Sequence, residues 1–273
     1  MGPSSSVPMA PPPQPAALLW DVDGTLAETE LQGHRVAYNR AFAEQGLPWQ
    51  WDEPRYLQLL ETSGGRERLQ RHAREVDHRG DLDLDALIAA KQRHYARIVD
   101  GGELSLRPGV RALIEEAHAA GVTQAIVTTS AGASVDALLA RLAPDLAPWF
   151  TVRVCGEQVR RKKPDPEAYR QALQALQLPA ALCVAIEDSL AGLRSAVAAS
   201  LPCVLVRSAL SRPVPCRDLA EAGAAAVLPE FDSGGTALTP EHGSLPLLNG
   251  RLRLRDLQSL LAAAPDPRDP DGA

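Results

Sequence analysis

The sequence predicts an α/β protein: a doubly wound parallel sheet core with an α-helical cap domain inserted after the first strand. Two observations predict it. Short apolar runs alternate with helical patterns, at Ala17 to Trp20, Thr123 to Val127, Thr151 to Val154, Cys183 to Ile186, Cys203 to Val206 and Ala224 to Leu228. Against that alternation, residues 33–98 carry helical patterns and no convincing strand.

Residues 1–15 are dominated by Pro and Ser and bury too little apolar surface to offset ordering entropy, so a disordered leader is expected. The core is expected over 16–32 and 99–264. Within the insertion, Gly46, Asp52, Gly64 and Gly80 mark about four helices joined by short turns. An insertion at that point sits over the carboxyl edge of the sheet, where open α/β folds bind ligands. Arg107-Pro108-Gly109 opens a helix expected from Pro108 to Ala120, and Gly121 closes it. Asp165 is the expected N-cap of a later helix. A short amphipathic stretch around Leu252 to Leu261 precedes a Pro- and Asp-rich tail, 265–273, expected to be disordered.

At 273 residues and 45% apolar content the chain can bury a full core. Its net charge of −6 argues against a broad nucleic-acid footprint, which needs a concentrated excess of Lys and Arg. The four cysteines are widely spaced with no CxxC pair, which suits a reducing compartment. No apolar run approaches the ~18 residues of a membrane span, and the N-terminus lacks a secretory pattern. A cytoplasmic monomer without membrane or nucleic-acid partners is the expectation.

The first apolar run ends in Asp21-Val22-Asp23-Gly24-Thr25. In an extended chain the two acids point the same way, and Gly24 permits a sharp departure that leaves both at the strand end. A strand followed by an Asx-type turn is the bland alternative. A second acidic pair, Glu187-Asp188, follows another apolar run and precedes Ser189 and an Ala-rich helix, where it either caps the helix or joins a site. Four carboxylates at neighbouring strand ends would repel unless a hard cation neutralised them, and oxygen ligands favour magnesium. Thr128-Thr129-Ser130 puts hydroxyl and amide donors at a third strand end. Lys163 lies in a basic run, usually a solvated feature, but Pro164 restricts its backbone and so its direction.

These four pieces, in this order, resemble the haloacid dehalogenase superfamily over roughly residues 16 to 230. The resemblance implies a Rossmann-like core, an aspartyl-phosphate intermediate and a magnesium requirement. It makes Asp21 the nucleophile and a metal ligand, and Asp23 the general acid and base, giving the metal its backbone carbonyl. Thr128 would hydrogen-bond a phosphoryl oxygen, and Lys163 would hold the phosphoryl group and the nucleophile's charge together. Asp188 would bind magnesium directly, and Glu187 directly or through water.

Finer detail, in Asp21 to Glu30, Trp49-Gln50-Trp51-Asp52 and Thr62-Ser63-Gly64-Gly65-Arg66-Glu67-Arg68, is similar to the CbbY-type phosphatases. These remove the carbon-1 phosphate of xylulose-1,5-bisphosphate, an inhibitory by-product of Rubisco. For such a small phosphorylated sugar, Gly64 and Gly65 offer close backbone approach, and Arg66 a planar cation for a second phosphate. The alternative is a helix–helix turn with Arg66 in water. Glu28 and His34 are candidates for the sugar hydroxyls, His34 alternatively for the hinge. Ser130 with Ala131-Gly132 is a candidate amide cradle for the remote phosphate.

Three features depart from the pattern: Ser134 stands where Asn is common nearby, Arg207-Ser208-Ala209-Leu210 lacks an expected Tyr, and the segment from Gly234 onward matches no pattern. Rival readings are a β-phosphoglucomutase or a broad-range sugar-phosphate phosphatase, which share the core motifs. A dehalogenase would give Asp23 no proton to move, and a non-catalytic sensing module would not need the intact acid set.

Overall fold

A computed structural model of the protein describes residues 14–262. The leader and tail expectations therefore fall outside the described residues, apart from positions 14 and 15. Six strands form one all-parallel sheet: β1 (Ala17–Trp20), β2 (Thr123–Val127), β3 (Phe150–Val154), β4 (Cys183–Glu187), β5 (Cys203–Val206) and β6 (Ala226–Leu228). Their order is β3-β2-β1-β4-β5-β6. The chain runs outward from β1 through β2 to β3 and then crosses to β4 on the other side. The crevice between β1 and β4 is thus a topological switch point, the usual ligand site of open α/β sheets.

β1 is buried on both sides because its alternate residues enter different cores. Leu18 and Trp20 face one layer, and Ala17 and Leu19 face the other. The Trp20 indole is satisfied inside that layer by Gln124, whose amide in turn donates to the Ile114 carbonyl.

β1 is followed by four helices of the insertion: α1 (Arg35–Glu44), α2 (Glu53–Leu59), α3 (Gly65–Glu75) and α4 (Leu84–Asp100). They enclose a separate aromatic core of Tyr38, Phe42, Trp49, Trp51 and Tyr56. The Trp49-Gln50-Trp51-Asp52 motif belongs here. Trp51 is fully buried against Tyr38, Phe42 and Tyr56, and Asp52 caps α2 by accepting from the Arg55 N–H at 2.8 Å.

The remaining helices cover the sheet: α5 (Val110–Ala119), α6 (Gly132–Leu142), α7 (Glu167–Leu176), α8 (Leu190–Ala198), α9 (Cys216–Glu221) and α10 (Leu254–Ala262). Gly109, at φ +87°, opens α5, and Gly121, at φ +73°, follows its end. Asp165 acts one position earlier than expected. Pro166 is the N-cap of α7, while the Asp165 carboxylate accepts from the Glu167 N–H at 2.9 Å. Among the described residues no helix is long and apolar enough to cross a membrane, and all four cysteines are free.

Candidate active site

The Asp21 N–H continues the β1–β4 ladder by donating to the Ile186 carbonyl at 3.0 Å. That rung sets Asp21 abreast of Glu187 and Asp188 at the switch point. Each of the three presents a carboxylate oxygen within 4.8 Å of the others, and all are buried.

Lys163, only 4% exposed, reaches in from the loop before α7. Its ammonium donates to Asp21 Oδ1 at 2.7 Å, to the Val127 carbonyl at 2.7 Å and to Glu187 Oε1 at 2.6 Å. All three of its protons are engaged, so it holds the charges of Asp21 and Glu187 together; a phosphoryl contact would have to share one of them. Tyr169 of α7 donates to the same Glu187 oxygen at 2.6 Å. Glu187 Oε2 is then left buried without a hydrogen-bond partner, in space that Gly192 vacates: a Cβ there would lie 1.9 Å from it.

One lysine cannot balance three carboxylates. Burial pushes Asp21 up to about 8, helped by Glu187 and Asp23 against the pull of Lys163. Burial, and then Asp21 and Glu187, push Asp188 well above the carboxylate range. An orphaned carboxylate oxygen within a cluster of hard oxygen donors fits a magnesium ion held by Asp21, Glu187 and Asp188.

These directions carry a sign. Without metal, the folded state keeps protons that the unfolded chain has released, so stability falls as pH rises from the ordinary 3.8 to about 8. A magnesium ion bound by these carboxylates would displace those protons. The rise in melting temperature on adding magnesium to chelated protein should therefore be larger at about pH 8.5 than at about pH 6. Equal shifts at both would place the ion elsewhere.

Asp23 faces away from that cluster. Its carboxylate accepts from the hydroxyls of Thr29 and Ser130, and from His34 Nε2 at 2.8 Å. Lys91 Nζ lies 2.8 Å from His34 Nδ1. The ammonium can only donate, which makes Nδ1 the acceptor and Nε2–H the donor to Asp23. Burial pushes the Asp23 carboxyl up, but His34, Ser130 and Thr29 together hold it below the ordinary range. His34 thus serves the acid rather than open space, and it arrives there on a π-helical turn, Glu30–His34.

Two cavities open over these groups, sharing Glu30, Thr129 and Arg68 in their walls. The larger, about 580 Å³, holds Asp21, Asp23, Thr128, Lys163 and Asp188. The smaller, about 310 Å³, is lined by His34, Gly64, Gly65, Arg66, Lys91 and Ser130, among others. Gly64 has φ +93°, and a Cβ there would meet the Glu67 carboxylate at 2.2 Å, so the turn needs glycine for its own packing. Arg66 borders the smaller cavity, half exposed and paired with Asp85.

Two expected contacts lie differently. Glu28 lines neither cavity; it sits 3.8 Å from Arg107 Nε, while Glu30 lines both and accepts from the Tyr56 hydroxyl at 2.5 Å. The Gly132 N–H, expected in an amide cradle, is taken by the Glu157 carboxylate at 2.9 Å. Ser134 Oγ donates to Gln92 of α4 at 2.6 Å, tying core to cap.

Glu30, Lys91 and Tyr169 are site groups that motif reading passes over. Lys91 alone left a signal, as a lysine on the buried face of α4 with Leu87, Ala90 and Tyr95.

A sequence profile of the haloacid dehalogenase-like hydrolases matches residues 15–200. The protein CbbY of Rhodobacter capsulatus is 47% identical over 204 residues, covering 72% of this chain and 87% of that protein. The plasmid CbbY of Cupriavidus necator is 45% identical over 233 residues, covering 83% and 89%. A CbbY variant from Rhodobacter sphaeroides, crystallised in complex with xylulose-1,5-bisphosphate, superposes with a TM-score of 0.74 at 39% identity, covering 80% of this chain and 95% of that one. Likeness of this extent, through core and cap together, makes the chain a member of the haloacid dehalogenase-like hydrolases and, within them, a phosphoric monoester hydrolase of the CbbY type.

Proposed function

We propose that the protein is a magnesium-dependent sugar-phosphate phosphatase that removes the carbon-1 phosphate of xylulose-1,5-bisphosphate, leaving xylulose 5-phosphate and so clearing a Rubisco inhibitor. The observation that carries the substrate is the likeness to the CbbY variant bound to that bisphosphate. The two adjoining cavities supply a reactive chamber holding Asp21 and an annex lined by Arg66, Arg68 and Lys91.

Asp21 attacks phosphorus, the bond from phosphorus to the carbon-1 oxygen breaks, and that oxygen leaves with a proton from Asp23, which must loosen its contacts with His34, Ser130 and Thr29 to carry one. In the second half Asp23 takes a proton from water, the oxygen attacks the aspartyl phosphate, and Asp21 is regenerated as inorganic phosphate departs. Thr128 donates to a phosphoryl oxygen. Asp21, Glu187 and Asp188 would hold a magnesium ion, which when bound would supply charge neutralisation for the phosphoryl oxygens.

The test is phosphate release from xylulose-1,5-bisphosphate, ribulose-1,5-bisphosphate and β-glucose 1-phosphate. Preference for the first is expected. Conversion of glucose 1-phosphate to its 6-phosphate isomer would instead establish a mutase.

Arg66 lines the annex but is half exposed, so its contact with the remote phosphate is screened. Arg66→Ala should raise KM for the bisphosphate about tenfold, or about 1.4 kcal/mol, and leave small aryl phosphates unaffected. An equal loss on both substrates would assign Arg66 to cap stability.

A further inference from the structure

The loop after β5 and the segment beyond Gly234 meet behind one carboxylate of the candidate metal site. Ser208, only 1% exposed, donates its hydroxyl to Asp188 Oδ2 at 2.5 Å and accepts from the Leu210 N–H at 3.1 Å. Its own N–H donates to Ser211 Oγ at 3.1 Å. The turn that fixes it is wrapped around Arg207, 6% exposed, which donates to the carbonyls of Ser211 and Val214.

Arg207 is itself held from two sides. Its Nε and Nη2 donate to Glu241 Oε2 at 3.0 and 2.7 Å, and the Glu241 N–H is pinned to the Val227 carbonyl at 2.8 Å. Its carbonyl accepts from Arg107 Nη2 at 2.6 Å, while Arg107 Nη1 donates to the carbonyl of Gly24. Gly24 closes the other side of Asp188, since a Cβ there would lie 2.1 Å from Oδ2.

The geometry points to Ser208 as a positioning residue for Asp188, braced by Arg207 and by Glu241 of the C-terminal segment. The hydroxyl engages Oδ2 and fixes the carboxylate plane, so the group meets a cation already oriented. Hydrogen-bonded support of this kind typically changes metal affinity 10- to 100-fold when removed. The inference rests on the reading of Asp188 as a magnesium ligand.

The experiment is calorimetric titration of magnesium into the chelated full-length chain, for wild type, Ser208→Ala, Ser208→Thr, Glu241→Gln and Asp188→Asn, with melting temperatures in chelator alongside. Ser208→Ala should weaken magnesium binding about tenfold. Ser208→Thr, which keeps the hydroxyl, should recover most of it, and Glu241→Gln should weaken binding severalfold. A purely structural serine would lower the melting temperature and leave the magnesium Kd alone. Weak binding by Asp188→Asn together with wild-type binding by Ser208→Ala overturns the positioning role. Wild-type binding by Asp188→Asn overturns instead the metal reading beneath it. Should Ser208→Ala not fold, Glu241→Gln decides, and wild-type affinity there overturns the brace.

Discussion

Asp21→Asn should abolish phosphate release, by at least ~10⁴-fold, while leaving the protein folded. An amide is too poor a nucleophile to attack phosphorus, and it is a weaker oxygen donor to magnesium. The fold should tolerate the change because it removes one of three buried carboxylates that share a single lysine. Lys163 keeps Glu187 as its ion-pair partner at 2.6 Å. The melting temperature in chelator should therefore hold or rise, the opposite of what a damaged core would give. Phosphate release retained by purified, magnesium-replete Asp21→Asn would refute the nucleophile assignment. Asp23→Asn should lose ~10²- to 10⁴-fold by another route, because its task is proton transfer. Its deficit should shrink for aryl phosphates, whose leaving groups need no proton; a uniform deficit would show that Asp23 acts through structure.

Lys163→Met should show the largest stability effect. The substitution leaves Asp21 and Glu187 buried without their shared cation and the Val127 carbonyl without its donor. Removing one member of a buried ion pair costs about 3–5 kcal/mol. For a chain of this size that lowers the melting temperature by about 2–4 °C per kcal/mol. Magnesium should restore part of the loss, since a divalent ion can neutralise the same carboxylates, but activity should stay at background. A variant that melts with wild type in chelator would mean that Lys163 holds no net charge balance in the folded protein.

The strands were legible because each is a short apolar run between turn residues, a pattern written locally in the chain. β6 is shorter than its apolar run suggests, beginning at Ala226, because its register against β5 starts only at Val204. The acids of the site were legible for the same reason: each sits at the end of such a run. Trp49 and Trp51 illustrate the limit. Large aromatic residues beside a binding motif read equally well as ligand contacts or as cap core, and only the packing with Tyr38 and Phe42 decides for the core. Glu28 and Glu30 illustrate another. They are close in sequence, and the backbone turn that begins at Glu30 sends one to Arg107 and the other to the cavities.

By itself the sequence determined the order of strands and helices along the chain and the family, and it singled out Asp21, Asp23, Thr128, Lys163, Glu187 and Asp188 as a candidate set. These follow from local patterning and from residue types with few alternative uses. Only the tertiary structure decided how that set is supported. Lys91 reaches His34 across 57 positions, and Ser208 reaches Asp188 across 20. Such partners are chosen by which buried charges and hydroxyls the sheet and cap bring within hydrogen-bond distance. No local pattern records that choice, because the energy of a buried polar group depends on its neighbours in space.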